Sequence, residues 1–313
     1  MPRVVRFDLP EVSVGTAEYE EGPTGCTVLA FPSGAQCAVD FRGGAVAARE
    51  LATVGPLDGW GEVDAIVFAG GSTWGLDAAG GVMHRLLEER EGDSDFEDIP
   101  AVPAAAVYDF SGRDNSTYPD TELGMAAFDA ATPGEAKVGR VGAGRNVTVG
   151  SYFGDRYAEP SGQGAAFERF GDVKVFALVV VNAGGNVFDR EGRLVKGTRD
   201  PATGERAVVY DKLRAYLEQQ AREGARPRGR NTVLGAVVTN VALDRLALLR
   251  LAVMGQAALA RVIDPLHTPE DGDVVFACST QSARLPPELT AGDLGILAGK
   301  VLQDAVLDAV RAR

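Results

Sequence analysis

Seven short apolar runs recur along the chain, at residues 27–31, 36–41, 65–69, 104–110, 173–181, 232–238 and 274–279. Each has the length of a strand, is rich in β-branched residues and is closed off by Gly, Pro or Asp. Helix-length segments lie between several of them. Residues 76–90 place Leu76, Ala79, Met83, Leu86 and Leu87 on one face, residues 241–263 are apolar almost all round, and residues 294–310 carry Leu294, Ala298, Val301, Ala305 and Ala309 in one stripe. Strands and helices therefore mix over the whole length, with no internal repeat and no low-complexity block. One α/β domain spanning residues 1–313 is the expected organisation, since 313 residues that are 45% hydrophobic suffice for a sizeable core. Residues 186–231 stand apart as dense in charge and broken by Gly-Thr, Asp-Pro and Arg-Pro steps. They contain a helix pattern at 208–220 and then a short basic approach, Arg226 to Arg230, to Asn231.

A net charge of −13 argues against a nucleic-acid partner, because phosphate contacts need clustered Lys and Arg and the stretch at Arg226 to Arg230 is the one such cluster. The first residues have no apolar signal core, and no run reaches the roughly 18 apolar residues of a membrane span. Three cysteines, Cys26, Cys37 and Cys278, are odd in number and form no metal-type pair, which fits a reducing, cytoplasmic compartment. Cys37 and Cys278 lie in apolar runs and read as buried fillers. With His84 and His267 the only histidines, a His-rich zinc site is not expected, and both read as structural.

Two motifs mislead. Gly70-Gly-Ser-Thr-Trp-Gly75 follows a strand pattern and precedes a helix, but a nucleophile elbow needs glycine two places after the serine, where Trp74 stands; Ser72 reads as a helix cap. Gly142-Ala-Gly144 lacks the third glycine of a dinucleotide fingerprint and reads as a close-approach turn. More specific chemistry is offered by Asn231-Thr232 at the head of a strand. A threonine hydroxyl held against the preceding carbonyl can attack it, convert the peptide to an ester and, after hydrolysis, become a new N-terminus. The freed α-amine, which ordinarily titrates at about 7.7 to 8.0, is a fitting base for that same hydroxyl. Asn-Thr is equally compatible with a linker entering a core strand. Downstream, Thr268-Pro-Glu-Asp271-Gly-Asp273 sets acids immediately before another strand, with Asp271 and Asp273 spaced to point the same way when extended. Such a pair can fix the Thr232 amine and tune its pKa, though Asp and Gly are also ordinary turn residues.

Several blocks together resemble the self-processing N-terminal-nucleophile hydrolases that include L-aminopeptidase/D-esterase, β-peptidyl aminopeptidase and the nylon-oligomer hydrolase. They are Ala38-Val-Asp-Phe-Arg-Gly-Gly44, Ala65-Ile-Val-Phe-Ala-Gly-Gly-Ser-Thr-Trp-Gly-Leu-Asp-Ala-Ala79, Val141-Gly-Ala-Gly144 with Thr148-Val-Gly150, Asn231-Thr-Val-Leu-Gly235, and Thr268-Pro-Glu-Asp-Gly-Asp273 leading into Val-Val-Phe-Ala277. The nylon-oligomer branch is the nearer, with Thr as nucleophile and an Asp pair in place of Ser and Glu. This resemblance implies a four-layer αββα sandwich of two sheets between helical layers, cleavage between Asn231 and Thr232 into pieces 1–231 and 232–313, Thr232 as nucleophile and Asp271 and Asp273 as supporting acids. It further implies Asn182 as an amide donor to the oxyanion, Tyr108 as a second hydrogen-bonding residue, no cofactor, a small amide, peptide or amide-oligomer substrate, and a homo-oligomer, a tetramer in relatives. One departure stands out: relatives carry a lysine after Thr-Val-Gly where this chain has Ser151, and Asn146 replaces a glycine in the same loop. Without that ammonium, either proton transfer at Thr232 is slower or another cation, such as Arg145, takes its place. Ser151 also motivates two other readings: a member of the fold that has lost catalysis and serves binding or assembly, and an acyltransferase sharing the threonine nucleophile.

Overall fold

One strand of 19 residues organises the molecule. A computed structural model describes residues 3–56, 60–93, 95–219 and 231–311; the basic approach at Arg226 to Arg230 lies outside the described residues. In chain order the principal strands are β1 (Ser13–Tyr19), β2 (Thr24–Arg42), β3 (Glu62–Ala69), β4 (Ala104–Ala106), β5 (Gln163–Phe170), β6 (Val173–Asn182), β7 (Thr232–Val241) and β8 (Asp273–Ala283). The principal helices are α1 (Ala78–Glu89), α2 (Thr121–Asp129), α3 (Val209–Gln219), α4 (Arg245–Leu259) and α5 (Ala291–Arg311). The runs at 27–31 and 36–41 prove to be two halves of β2. Pro32-Ser-Gly34, which separates the two runs in the sequence, is a bulge within the strand: the register with β3 slips between Ala30 and Ala35, with Gly34 at φ 71°.

The halves of β2 serve different neighbours. Its first half pairs with β1 (Ala30 opposite Ser13) and β3 (Ala30 opposite Ala65), its second with β8 (Gln36 opposite Ser279, Arg42 opposite Asp273). The hydrogen-bonded path β5-β6-β7-β8-β2-β3-β4 is continuous and folds over at the bulge. Leu29, Phe31, Ile66 and Phe68 of one half then meet Phe176, Leu178, Leu234 and Phe276 of the other in a shared core, with the rings of Phe68 and Phe276 6.1 Å apart. Alternate residues of the same strands point outward. Val175, Ala177, Val179, Val233, Val237 and Val275 pack beneath α4 and α5, while Cys26, Val28, Ala30, Ala65 and Val67 pack beneath α1 and α2. Three apolar interfaces separate four layers, the expected αββα sandwich. Burial on both faces is why these strands read as unbroken apolar runs.

Helix ends follow their caps. Asp120 accepts from Leu123 N (3.0 Å) and Asp244 from Ala247 N (2.8 Å). Ser72 is not a cap: a four-residue helix at Ser72–Gly75 is preceded by Gly71 and has no side-chain cap bond. Gly71, at φ 74°, takes the left-handed conformation that this helix start needs. On α1, Ala78, Ala79, Val82 and Leu86 face the core, whereas Leu87 is exposed. His84 is on the outer face and pairs with Glu88 (3.3 Å). Among the described residues no helix is long and apolar enough to cross a membrane.

Candidate active site

Strand direction alone gathers the chemistry. Strand β6 is antiparallel to β7, so its last residue, Asn182, stands opposite Thr232, the first of β7. Strand β8 is parallel to β7, with Val274 beside Leu234, so Asp273 also falls at that end of the sheet. Asn182, Asn231, Thr232, Asp271 and Asp273 are all buried.

The Thr232 hydroxyl donates to the carbonyl oxygen of Asn231 at 2.6 Å. Gly272 N donates to the same oxygen at 3.0 Å. The bond before the threonine thus has its hydroxyl alongside and its oxygen already polarised by a main-chain donor. Glycine is required at 272, because a Cβ there would lie 2.9 Å from the Thr232 hydroxyl and 2.6 Å from the Ala45 carbonyl oxygen. The Gly43-Gly44 pair has a matching purpose: at Gly43, φ 89°, a Cβ would fall 2.3 Å from the Asp271 carbonyl oxygen. These glycines let the chain after β2 lie against the acidic loop.

The two aspartates have separate partners. Asp273 accepts from Val233 N (2.8 Å) with Oδ1, while Oδ2 accepts from His267 N (3.1 Å) and lies 2.8 Å from His267 Nδ1. Asp271 accepts from Thr268 N (2.7 Å) and from the Asn231 side-chain amide. Burial, and after it the neighbouring Asp273 charge, pushes the Asp271 carboxyl up to about 6. Asn182 is held at both ends of its amide, donating from Nδ2 to the Tyr108 carbonyl (3.0 Å) and accepting from Thr148 N (3.1 Å). Tyr108 therefore meets Asn182 through its main chain, and its ring packs against Phe110 (5.4 Å). The loop carrying Tyr108 is anchored by buried Asp109, which pairs with Arg113 (2.9 Å) and accepts from Thr24 Oγ1 (2.6 Å) and Gly71 N (2.9 Å).

Ser151 lies in the site, its hydroxyl donating to Asn231 Oδ1 at 2.7 Å. Arg145 does not stand in for the missing lysine. Its guanidinium is bound to the Glu20 carboxylate and reaches the Arg140 carbonyl, because the turn at Gly142–Gly144 aims it away from Thr232. Asn146 donates to the main-chain carbonyls of Asp109 (2.8 Å) and Ser111 (3.2 Å), bonds a glycine cannot make. Two participants were missed by sequence reasoning. Gly272 acts through its N–H and leaves no side-chain signature; His267 reaches Asp273 through a left-handed residue, φ 62°, and its closeness to the acidic motif was the available signal.

Four layers, with Thr232 heading an inner strand and Asp273 heading its parallel neighbour, give the chain the fold seen in N-terminal-nucleophile hydrolases. The L-aminopeptidase D-Ala-esterase/amidase of Ochrobactrum anthropi, a variant of that fold, matches with a TM-score of 0.70 at 17% identity, over 96% of this chain and 83% of its own. A β-aminopeptidase of Burkholderia sp. matches with a TM-score of 0.66 at 19% identity, over 99% and 88%. The chain belongs to peptidase family S58, whose pattern covers residues 7–312. It is 42% identical over 317 residues to the 6-aminohexanoate-oligomer endohydrolase of Kocuria sp. (strain KY2), covering 98% of this chain and 86% of the relative. The protein is an enzyme that hydrolyses amide bonds.

Proposed function

We propose that the chain is made as a precursor, cuts itself between Asn231 and Thr232, and then hydrolyses small linear amides, peptides or amide oligomers with Thr232 as N-terminal nucleophile. The observation that carries this reading is the Thr232 hydroxyl 2.6 Å from the Asn231 carbonyl oxygen, with Gly272 N donating to that oxygen. In processing, the hydroxyl oxygen attacks the Asn231 carbonyl carbon and the negative charge that develops on the carbonyl oxygen is met by Gly272 N–H. The C–N bond breaks as the hydroxyl's proton passes to the Thr232 nitrogen, leaving an ester on Thr232 and a free amine. Water then hydrolyses the ester to the Asn231 carboxylate and restores the hydroxyl.

In turnover, the Thr232 amine takes the hydroxyl proton as the oxygen attacks a substrate amide. Asn182, its side chain oriented by Tyr108 and Thr148, is the donor we assign to the substrate oxyanion. The Thr232 ammonium passes that proton to the leaving amine as the substrate C–N bond breaks, and water then hydrolyses the ester, releasing the acyl group as a carboxylic acid and restoring the hydroxyl. Asp271 and Asp273 hold the strand ends and the Thr232 amine in place. Pieces 1–231 and 232–313 remain associated, in a homo-oligomer with cytoplasmic location; the odd cysteine count supports a reducing compartment.

Intact mass of the purified protein tests the cut. Wild type is expected as two pieces whose smaller one begins at Thr232, and Thr232→Ala as one full-length chain that is inert towards amino-acid p-nitroanilides. A wild-type chain that stays whole and behaves like Thr232→Ala would overturn the reading.

A further inference from the structure

We infer that the cradle around the Asn231 side chain in the uncut protein is the subsite that later receives the substrate's acyl residue, and that it selects a short carboxamide: the preferred substrates are amides of L-asparagine. The inference rests on Thr232 being the nucleophile of both reactions. The ester formed in processing is an acyl-enzyme whose acyl group is Asn231 with the chain before it. The ester formed in turnover is the same linkage on the same oxygen with another acyl group. When water releases the first acyl group and the chain end withdraws, the walls that fitted its side chain are those offered to the second.

Those walls come from three elements and match the two ends of a primary amide. The Ser151 hydroxyl, buried, donates to Asn231 Oδ1 at 2.7 Å. The Asp271 carboxylate accepts from the Asn231 side-chain amide. Gly184, after β6, forms the remaining wall, where a Cβ would fall 2.4 Å from Asn231 Nδ2, so the amide fills the available space. Asn231 N is directed to the Glu270 carbonyl, 3.5 Å away, which places an acceptor for an α-amino group or α-amide of the acyl residue. A donor at one end and an acceptor at the other reject most alternatives. An aspartyl side chain would set a carboxylate against Asp271, and a leucyl side chain would leave the buried Ser151 hydroxyl without this acceptor and Asp271 with its Thr268 donor (2.7 Å) but without the amide. The serine that stands where relatives have lysine thus acquires a role in specificity: a neutral donor for a neutral amide oxygen.

The test uses the processed wild-type enzyme and p-nitroanilides of L-asparagine, L-alanine, L-leucine and L-aspartate. The asparaginyl compound is expected to exceed the leucyl and aspartyl compounds in kcat/KM by about tenfold or more, and Ser151→Ala to narrow the asparaginyl-to-alanyl ratio by about tenfold. Because Ser151→Ala can fail to fold, the wild type is also assayed on the alanyl compound with L-asparaginamide or L-leucinamide as competitor, the former expected to compete about tenfold more strongly. Hydrolysis of the panel without asparaginyl preference, or with the ratio unmoved in a folded Ser151→Ala protein, overturns the subsite while leaving the hydrolase reading intact. A cut protein that hydrolyses none of the four also overturns the subsite, and a wild-type chain that stays whole and behaves like Thr232→Ala overturns the reading on which the subsite rests.

Discussion

Asp271 is an acid held where its charge is unwelcome. It is 3% exposed, and burial together with the nearby Asp273 raises its pKa from the ordinary 3.8 to about 6. Between those values the folded state keeps a proton that the unfolded chain has lost, so stability falls as pH rises from about 4 to 6 and levels off above. The size of the loss is on the order of 3 kcal/mol. In the uncut Thr232→Ala protein, adding Asp271→Asn should shift the difference in unfolding free energy in favour of the asparagine variant across that window. Urea denaturation at pH 4 to 8 measures it, and a difference that does not change with pH would contradict this account. At the same scale, the clustering of Thr232, Asp271 and Asp273 could be anticipated because Thr232 and Asp273 each head a strand and Asp271 lies two residues before the second. Arg145 misled because its charge was visible in the sequence while its direction, set by the turn at Gly142–Gly144, was not.

Elements pack as closely as their smallest residues allow, and α1 against α2 shows it. A Cβ at Gly124 would lie 2.0 Å from the Ala78 carbonyl oxygen, and one at Gly81 would lie 2.0 Å from that of Thr121. Alanine normally favours a helix over glycine by about 1 kcal/mol, but here it would force the helices apart at a cost of about 1–3 kcal/mol. Gly124→Ala should therefore lower stability. Gly80, one residue from Gly81, has no neighbour closer than 3.8 Å to its would-be Cβ, so Gly80→Ala should raise stability by up to about 1 kcal/mol. Thermal unfolding of the two variants in parallel reads the opposite signs; equal signs would refute the packing argument. The same small residues hid α2 from sequence reading, since nine residues built around Gly124 and Ala127 carry little apolar periodicity. Strands β1 and β5 escaped for a related reason, each ending in partly exposed polar positions. Strand β6 could be read to within one residue of its end, while β7 and β8 were read without their last three and four residues, where the unbroken apolar run stops.

For the whole molecule, mixed strands and helices pointed to an α/β protein, but the four layers were reached through family resemblance. A strand buried on both sides does not reveal in its sequence which face meets a helix and which meets another sheet. That double burial decides what a cut at Thr232 would do. Strands β7 and β8 lie side by side in the sheet, between β6 and β2, which precede the cut. Strand β7 is paired to β6 from Asn182 opposite Thr232 to Val175 opposite Thr239, and β8 to β2 from Asp273 opposite Arg42 to Ser279 opposite Gln36. Helices α4 and α5 supply one side of the core over β6, and Leu234 and Phe276 contribute to the core between the sheets. Processed protein should therefore elute from a native sizing column with both pieces together and separate only in denaturant. Residues 1–231 expressed alone would expose two sheet edges and two half-cores, and should show no cooperative unfolding transition. A soluble 1–231 piece with its own sharp transition would mean that the strands after the cut are an addition to a finished fold, and the argument for lasting association would fail.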